Sequence, residues 1–307
     1  MNKIFVDGSA GTTGLKIIDR LSSRKDIQLI TLPEELRKDI SARQDAINSA
    51  DIVFLCLPDA AAIESVSLVK SDKVKIIDTS TAHRTNSDWE YGFPELNGRK
   101  ERIAKSKRIA NPGCHASGFI SLIAPLIEAG VMDKNESLSC FSITGYTGGG
   151  KKMIAEYEGE NRPTLYDAPR QYGLSQTHKH LPEMKAVCGL DKLPLFCPIV
   201  APFAQGMEVT VPIFKNQIKC DINGIKEIYK NAYTGKLIHF DETDEEGGFL
   251  SAGLLAGRDD MSVSVYGNED RMILVSRFDN LGKGASGAAI QNMNILLGVD
   301  ETTGLNY

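Results

Sequence analysis

The chain has 307 residues, of which 42% are hydrophobic and 24% charged, and its formal net charge is -5 at pH 7. This length is enough for two domains with a substantial core. The mildly acidic balance argues against nucleic acid or an anionic membrane as the main partner. Six scattered cysteines without CxxC pairs suggest neither a zinc site nor a disulfide scaffold. With no signal-peptide pattern at the start and no apolar run of transmembrane length, we expect a cytoplasmic protein.

A strand, a glycine loop and a helix follow one another at the start of the chain. Residues 3–7 are apolar, residues 15–21 have helical spacing, and the sequence GSAGTTG lies between them. This G-x-x-G-x-x-G pattern is a variant of the dinucleotide fingerprint, in which small residues let a pyrophosphate approach the backbone at a helix N-terminus. The alternative is a plain tight turn. The predicted cofactor contacts are Gly8, Ser9, Ala10, Gly11, Thr12, Thr13 and Gly14.

The choice between NAD and NADP depends on the end of the second strand, residues 27–32. An NAD site would place an acidic residue there to bind the ribose 2′-hydroxyl. Two glutamates follow Pro33, but so do Arg37, Lys38 and Arg43, which could hold a 2′-phosphate or could only form a solvated surface. We predict NADP, with Arg37 as a contact.

Further apolar strands at residues 51–57 and 74–78, separated by a helix, predict a doubly wound parallel sheet. The loop at residues 79–84 follows the second of these strands. Because ligands bind at the carboxyl edge of such sheets, we expect this loop to border the cofactor and the substrate. Ser80 is a predicted cofactor contact and Arg84 a predicted substrate contact, whereas His83 is interpreted as a loop residue without a catalytic role.

The sequence IANPGCHASG at residues 109–118 places Cys114 between a sharp turn and an apolar helical run at 119–127. A helix N-terminus favours the thiolate, so we predict that Cys114 is the catalytic nucleophile. The alternative is a buried and inert cysteine. Asn111 in the same turn is a predicted substrate contact.

A different pattern begins after this helix. Residues 138–144 alternate like a half-buried strand and lead into a glycine-rich loop that ends in lysines, at 145–152. This loop suits an anionic substrate or is merely flexible. Predicted substrate contacts are Ser142, Gly145 and Lys151. Residues 156–175 lack clear periodicity and are interpreted as a long, functional loop region.

Two histidines lie two residues apart in the sequence HKHLPE at 178–183. A metal pair is one interpretation, but no cluster of further ligands is evident nearby, so no metal is predicted. A nucleophilic thiol needs a general acid/base within reach, and we assign that role to His180 while keeping His178 open. Lys179 between them is a predicted substrate contact.

Strands at residues 196–202, 208–213, 262–266 and 271–276 predict a mostly antiparallel sheet with helices. A small-residue segment at 279–287 then leads into an apolar helix at 288–297, which we expect to return to the first domain; Asn280 and Gly282 are predicted cofactor contacts. The predicted fold class is α/β: a Rossmann-type dinucleotide-binding domain plus an α+β catalytic domain. We expect the first to comprise residues 1–114 and 282–307, and the second, which also dimerises, residues 115–281.

Across nearly its whole length the chain resembles the short form of the N-acetyl-γ-glutamyl-phosphate reductase family and, more distantly, aspartate-semialdehyde dehydrogenase. The resemblance rests on GSAGTTG at 8–14, YGFPEL at 91–96, NPGC at 111–114, HKHLPE at 178–183 and DNLGKGASGAAIQNMN at 279–294. It implies NADPH-dependent reduction of N-acetyl-L-glutamyl 5-phosphate through a thioester on Cys114, in arginine biosynthesis, by a homodimer or homotetramer. The family has an aromatic residue after the cysteine where this chain has His115.

Two other functions fit some of these patterns. A sister enzyme of the aspartate-semialdehyde dehydrogenase type would share the fold, the cysteine and the cofactor but act on another acyl phosphate. A non-enzymatic, NADP-binding redox sensor would have no need for a cysteine paired with a histidine.

Overall fold

The computed structural model describes residues 1–242 and 246–307. The α-helices are α1 (Thr12–Ser22), α2 (Ile40–Ser49), α3 (Asp59–Ser67), α4 (Arg99–Lys105), α5 (Cys114–Glu128), α6 (Gly150–Glu158), α7 (Leu181–Cys188), α8 (Ile222–Ala232) and α9 (Gly287–Leu297). The strands are β1 (Asn2–Asp7), β2 (Ile27–Ile30), β3 (Ile52–Leu55), β4 (Lys75–Asp78), β5 (Glu90–Tyr91), β6 (Arg108–Ala110), β7 (Ser139–Gly145), β8 (Arg170–Gln171), β9 (Leu195–Ala201), β10 (Met207–Phe214), β11 (Ile238–Phe240), β12 (Met261–Gly267) and β13 (Arg271–Phe278).

These elements form two compact units. Unit 1 comprises residues 1–94, 98–112 and 285–305, and unit 2 comprises 95–97, 113–284 and 306–307. The sequence placed its limits after 114 and before 282, whereas the chain changes unit after 112 and after 284. The assignment of cofactor binding to one domain and catalysis to the other stays a prediction.

Unit 1 is a doubly wound domain. Its sheet has the strand order β2-β1-β3-β4-β6-β5, with every pair of neighbours parallel. One face of the sheet is covered by apolar side chains of α1, α4 and α9, including Ile17, Ile103 and Ile290. The other face packs against α2 and α3 through Ile47 and Ala62. Coverage on both faces explains why the inner strands are almost continuously apolar.

Unit 2 is built on a mixed sheet in the order β11-β12-β13-β10-β7-β9-β8. The pairs β11–β12 and β7–β9 are parallel and the other four are antiparallel. Helix α5 packs on one face so closely that a Cβ at Gly118 would lie 2.3 Å from the Val209 side chain. The hydroxyl of Tyr229 on α8 donates to the Leu122 carbonyl of α5 at 2.6 Å. The sheet therefore has one covered face, and α5 lies at its centre.

The segment at 156–175, interpreted above as loop, contains more regular structure than its sequence pattern suggested. It holds the end of α6, a 3₁₀ turn at Thr164–Asp167 and strand β8. The rings of Tyr157 and Tyr166 are tilted relative to each other with centroids 5.1 Å apart, and the Arg170 guanidinium lies 3.5 Å from the Tyr166 ring centroid. Such contacts order a segment without apolar periodicity. That part of the loop prediction was wrong.

Within residues 1–242 and 246–307, no helix combines the length and hydropathy needed to cross a membrane.

Candidate active site

Cys114 is the first residue of α5, as the turn and the apolar run predicted. Gly113 caps the helix in an extended conformation, and its carbonyl accepts a hydrogen bond from the Ser117 amide at 2.8 Å. Cys114 itself is partly exposed, whereas residues 115–126 of the helix are buried. The first turn of α5 itself contains no acidic side chain, and a helix N-terminus is the position at which the backbone dipole favours a thiolate over a thiol.

The turn that precedes Cys114 in sequence is fixed within unit 1 through Asn111. The Asn111 side chain is 1% exposed, its amide donates to the Ala285 carbonyl at 3.1 Å, and its oxygen accepts from Asn292 at 3.2 Å. The Arg84 guanidinium donates to the backbone carbonyls of Asn111 (2.9 Å) and Thr79 (3.0 Å). Both residues were predicted to touch substrate. That role stays a prediction, because the observed bonds support the turn itself.

The amide of Gly113 donates to the Glu183 carboxylate on α7 at 2.8 Å, with both groups buried. The same short helix begins after His180, which is its N-cap and is 5% exposed. Sequence reasoning used Glu183 only as part of a motif. Its position three residues after His180, in the first turn of a helix, was the signal that could have identified it.

The structure brings three histidines of unit 2 together. The ring centroids of His178 and His180 are 4.8 Å apart, and that of His115 lies 5.5 Å from His180 and 5.7 Å from His178. The Phe196 ring is 5.2 Å from His115 and 5.1 Å from His178. Because His115 follows Cys114 directly, the predicted His-x-His pair lies close to the residue next to the thiol.

His115, which sequence reasoning noted only as a departure from an aromatic residue, is tied into a buried network. Its Nδ1 lies 2.6 Å from the Ser142 hydroxyl, and its Nε2 lies 2.6 Å from the Tyr172 hydroxyl. Burial, with a smaller contribution from His178, lowers the pKa of His115 to about 3. His115 is therefore neutral in the folded protein at physiological pH. Ser142, predicted to touch substrate, supports this imidazole, and Tyr172 is a site residue that sequence reasoning missed.

His178 has a local structural role. Its Nδ1 accepts a hydrogen bond from the His180 amide at 3.2 Å, so the proton of the neutral ring is on Nε2. Burial and the positive charge of Lys179 lower the pKa of His178 to about 4. A neutral His178 that accepts from the backbone helps to shape the entrance of α7.

The remaining predicted substrate contacts lie in unit 2. Lys151, in the first turn of α6, and Lys179 are both exposed. Gly145 ends β7 in a position where a Cβ would lie 2.4 Å from the Ala204 carbonyl oxygen, so its lack of a side chain is a packing requirement. Whether any of these residues contacts substrate stays a prediction.

The glycine loop of unit 1 connects β1 to α1 as predicted. Gly8 has φ +85°, and a Cβ there would lie 2.2 Å from the Cys56 carbonyl oxygen. At Gly11, the N-cap of α1, an added Cβ would be in ordinary van der Waals contact with the Gly8 carbonyl oxygen at 3.4 Å. The first turn of α1 holds Thr12 and Thr13 and no acidic residue. A helix N-terminus that follows a glycine loop and has no acidic residue in its first turn fits the pyrophosphate of a dinucleotide.

Two features near the carboxyl edge of the unit 1 sheet refine the predicted cofactor contacts. The Ser80 hydroxyl donates to Asp78 at 2.7 Å, and His83 Nδ1 lies 2.6 Å from the same carboxylate. Arg37 is exposed, as a 2′-phosphate ligand must be. Arg43 is not available for that role: its guanidinium is buried in ion pairs with Asp7 (3.0 Å) and Glu64 (2.9 Å). The inclusion of Arg43 among the candidate phosphate ligands was therefore wrong.

The DNLGKG segment lies in unit 2 and is tightly packed there. Asn280 is 1% exposed, its oxygen accepts from the Gly206 amide at 3.0 Å, and its amide donates to the Thr147 hydroxyl at 3.0 Å. A Cβ at Gly282 would lie 1.9 Å from the Arg258 carbonyl oxygen, and one at Gly284 would lie 2.9 Å from Cys114 Cβ. Cofactor contacts by Asn280 and Gly282 stay predictions.

The six cysteines remain thiols. Burial raises the pKa of Cys56 to about 12, and burial likewise raises the pKa of Cys140 far above its ordinary value. Among the described residues, no group of three or more His, Cys, Asp or Glu side chains is arranged to hold a metal ion.

Comparison with known proteins gives matches along most of the chain. The family models "Semialdehyde dehydrogenase, NAD binding domain" and "Semialdehyde dehydrogenase, dimerisation domain" match residues 3–106 and 114–280. Proteins named N-acetyl-gamma-glutamyl-phosphate reductase from Brucella ovis and Brucella canis are 45% identical over 306 residues, which covers 96% of this chain and 99% of each relative.

Solved structures show the same fold at low sequence identity. Aspartate semialdehyde dehydrogenase II from Vibrio cholerae, complexed with ASA, has a TM-score of 0.71 at 14% identity, covering 97% of this chain and 98% of that chain. Aspartate semialdehyde dehydrogenase with NADP from Candida albicans has a TM-score of 0.68 at 17% identity, with the same coverage of 97% and 98%.

The predicted fold class is confirmed by these matches, which define an oxidoreductase with a dinucleotide-binding domain. The chain belongs to the semialdehyde dehydrogenase family and, within it, to the N-acetyl-gamma-glutamyl-phosphate reductases represented by its Brucella relatives.

We expect His115 to make the stability of the protein sensitive to acid. Its pKa is about 3 in the folded protein, against an ordinary value of 6.5, so below about pH 6.5 the unfolded chain binds a proton that the folded chain does not. The contribution of the neutral His115 to the free energy of unfolding is complete above pH 6.5 and is lost as the pH falls towards 3. At pH 5 the loss amounts to about 2 kcal/mol, from roughly 1.4 kcal/mol per pH unit.

Urea unfolding of the wild type and His115→Phe at pH 7 and pH 5 measures this effect. The variant should be less stable at pH 7, because Ser142 and Tyr172 lose their partner, but it should lose about 2 kcal/mol less than the wild type on acidification. Equal losses in the two proteins would contradict the assignment of a neutral, buried His115.

Proposed function

We propose that the chain catalyses the NADPH-dependent reduction of N-acetyl-L-glutamyl 5-phosphate to N-acetyl-L-glutamate 5-semialdehyde and phosphate, in arginine biosynthesis. The observation that carries the proposal is Cys114 at the start of α5, next to a cluster of histidines in the same unit. The name of the Brucella relatives, 45% identical over 96% of this chain, supports the choice of substrate.

The chemistry proceeds through a thioester. The Cys114 sulfur attacks the acyl carbon, so a C–S bond forms while the C–O bond to phosphate breaks and phosphate leaves. NADPH, when bound, supplies the hydride that reduces the thioester carbonyl. The C–S bond then breaks, its electron pair returns to Cys114, and the aldehyde carbonyl forms. The start of α5 stabilises the returning thiolate.

We assign the proton transfer at the hemithioacetal oxygen to His180. His178 is the weaker candidate, because its Nδ1 already accepts the His180 amide and its pKa is about 4. His115 is bonded to two hydroxyl groups and is also neutral. His180 follows from this comparison as the acid/base, held at the N-cap of α7.

The substrate of this reaction carries carboxylate and phosphate groups, so its binding site needs cations. We propose Lys151 and Lys179, whose exposed ammonium groups are accessible to a ligand. Arg84, Asn111, Ser142 and Gly145 remain candidates, although each has a packing or hydrogen-bonding role in its own unit.

For the cofactor we propose NADP rather than NAD. With Arg43 held by Asp7 and Glu64, Arg37 is the residue that we propose for the 2′-phosphate. We also propose Gly8, Gly11, Gly14 and their neighbours for the pyrophosphate, and Ser80, Asn280 and Gly282 as further contacts. A location in the cytoplasm suits a reductase with six thiols, and recovery of the native protein outside that compartment by cell fractionation would contradict it.

We propose a homodimer, or a tetramer built from it, formed through the uncovered face of the unit 2 sheet. Large apolar side chains on this face are Phe141 (44% exposed), Leu195 (54%), Phe214 (60%) and Ile273 (37%). The strand register aligns Phe141 with Thr210 and with Cys197, two residues after Leu195, and aligns Pro212, two residues before Phe214, with Ile273. All four side chains therefore point to the side opposite α5. An apolar face of this kind, in a domain matched by a dimerisation-domain model, fits a second copy of the chain.

Three variants test the catalytic residues. Cys114→Ser should keep its fold and cofactor binding but lose turnover by on the order of 10⁴-fold or more, because a serine hydroxyl is a poor nucleophile here. His180→Asn should lose roughly 10²–10⁴-fold and change its pH profile, with a smaller loss in His178→Asn. The losses of turnover are measured as steady-state rates with N-acetylglutamyl phosphate and with aspartyl phosphate. Trapping of the acyl-enzyme tests for the thioester.

Turnover by the Cys114→Ser enzyme would overturn the thioester route. A larger loss in His178→Asn than in His180→Asn would reverse the histidine assignment, and faster reduction of aspartyl phosphate would replace the proposed substrate.

Cofactor preference is tested at Arg37. Arg37→Ala should weaken NADP binding by about 10-fold or more, the usual effect of removing a charged hydrogen bond to phosphate, and leave NAD binding unchanged. Arg102→Ala, which removes an exposed arginine of the same unit, should leave the affinities for both NADP and NAD unchanged. Fluorescence titration with both cofactors gives the two affinities. Comparable kcat/KM values of the wild type with NADPH and NADH would show that the preference is wrong.

The oligomer is tested by placing a charge on the uncovered sheet face. Phe141→Glu should shift the protein to the monomer at micromolar concentration, because a carboxylate would be buried without a partner. Ile63→Glu, on α3 of unit 1 and 55% exposed in the wild type, should leave the assembly unchanged. Sedimentation equilibrium distinguishes the states, and a wild-type monomer, or a Phe141→Glu dimer, would argue against this interface.

A further inference from the structure

Glu183 reaches from α7 to the residue that starts the cysteine helix. Its carboxylate accepts a hydrogen bond from the Gly113 amide at 2.8 Å, and the Glu183 residue is 1% exposed. Gly113 is bonded to Cys114 in the chain, and Glu183 lies in the same first turn of α7 that His180 caps. One buried hydrogen bond therefore joins the nucleophile's neighbour to the histidine's helix.

We propose that Glu183 is a positioning residue that sets the separation and orientation of Cys114 and His180. The assignment rests on the proposed function, because it takes these two residues as nucleophile and acid/base. Glu183 acts through the backbone of Gly113 and the first turn of α7.

The bond is suited to this task because the groups around it have little freedom to move. Leu181 and Met184, on either side of Glu183 in α7, are 2% and 0% exposed and anchor the helix in the core of unit 2. On the other side, Gly284 packs against Cys114, where even a Cβ would approach to 2.9 Å. Cys114 thus has Gly284 against its Cβ and the Glu183 bond at the residue before it.

The place of Glu183 in its own helix also distinguishes this bond from an ordinary cap. An acidic residue in a first turn commonly accepts from the amide of its own helix's N-cap. Here a Glu183 oxygen accepts from the N-cap of α5, and the amide of His180, the N-cap of α7, donates to His178 Nδ1. A single carboxylate at the start of two helices couples their positions.

The experiment compares Glu183→Ala, Glu183→Gln and Asp221→Ala in the full chain. Glutamine keeps an oxygen that can accept from Gly113, whereas alanine removes it. Asp221 is the matched control, because its side chain also accepts from a backbone amide, that of Gly224, at 2.8 Å, but at the start of α8. The readouts are kcat, the KM for NADPH, and the rate at which iodoacetamide alkylates Cys114, followed by mass spectrometry of its peptide.

We expect Glu183→Ala to lower kcat by about 10- to 100-fold, as small misplacements of catalytic groups do, with the KM for NADPH unchanged and Cys114 alkylation altered several-fold. Glu183→Gln should restore kcat to within about 3-fold of the wild type, since the acceptor is retained. Asp221→Ala should leave all three readouts at wild-type values.

Wild-type kcat and alkylation in Glu183→Ala would overturn the proposal, and so would a Glu183→Gln enzyme as impaired as Glu183→Ala. If the alanine variant does not fold, the glutamine variant decides: near-normal kcat supports the bond to Gly113, and a loss beyond 10-fold overturns it. Cys114→Ser is measured alongside. Activity in that variant refutes the thioester mechanism, whereas an inactive Cys114→Ser with a normal Glu183→Ala refutes the positioning role alone.

Discussion

The buried start of α5 is the constraint on which the candidate active site depends. A helix that is apolar and buried over residues 115–126 cannot expose the amides of its first turn freely to water, so their partners must come from the protein or from a ligand. The Gly113 amide has the Glu183 carboxylate as its partner. The amides that follow it belong to the first turn of α5, which Cys114 begins. The start of the helix is thus stabilised by a group from another helix, at the residue next to Cys114.

The parts of the structure that follow from local sequence patterns could be predicted. The strand, glycine loop and helix at the N-terminus, and the start of α5 at Cys114, lie where the turn residues and the apolar spacing placed them. These features depend on residues within one or two helical turns of each other, which is the range over which periodicity and turn chemistry act. The doubly wound sheet follows from the repetition of such units.

The contacts that define the candidate site could not be predicted, because they join residues that are distant in sequence. Glu183 is 70 residues from Gly113, and Tyr172 is 57 residues from His115. Arg43 shows that the burial of a charged residue could not be predicted either. Beside Lys38 and Arg37 it resembled part of a solvated cationic surface, but Asp7, 36 residues away, draws it into the interior. Charge patterns along the chain do not indicate which charges the fold will bury.

Burial of thiols affects how readily the protein reacts with oxidants and electrophiles. Burial raises the pKa of Cys56 to about 12 and raises that of Cys140 even further, so both sulfurs stay protonated. Oxidants and electrophiles attack the thiolate form. Such cysteines can therefore serve as small hydrophobic residues without adding to the oxidative vulnerability of the protein. Two of the six cysteines of the chain are kept unreactive in this way by their surroundings.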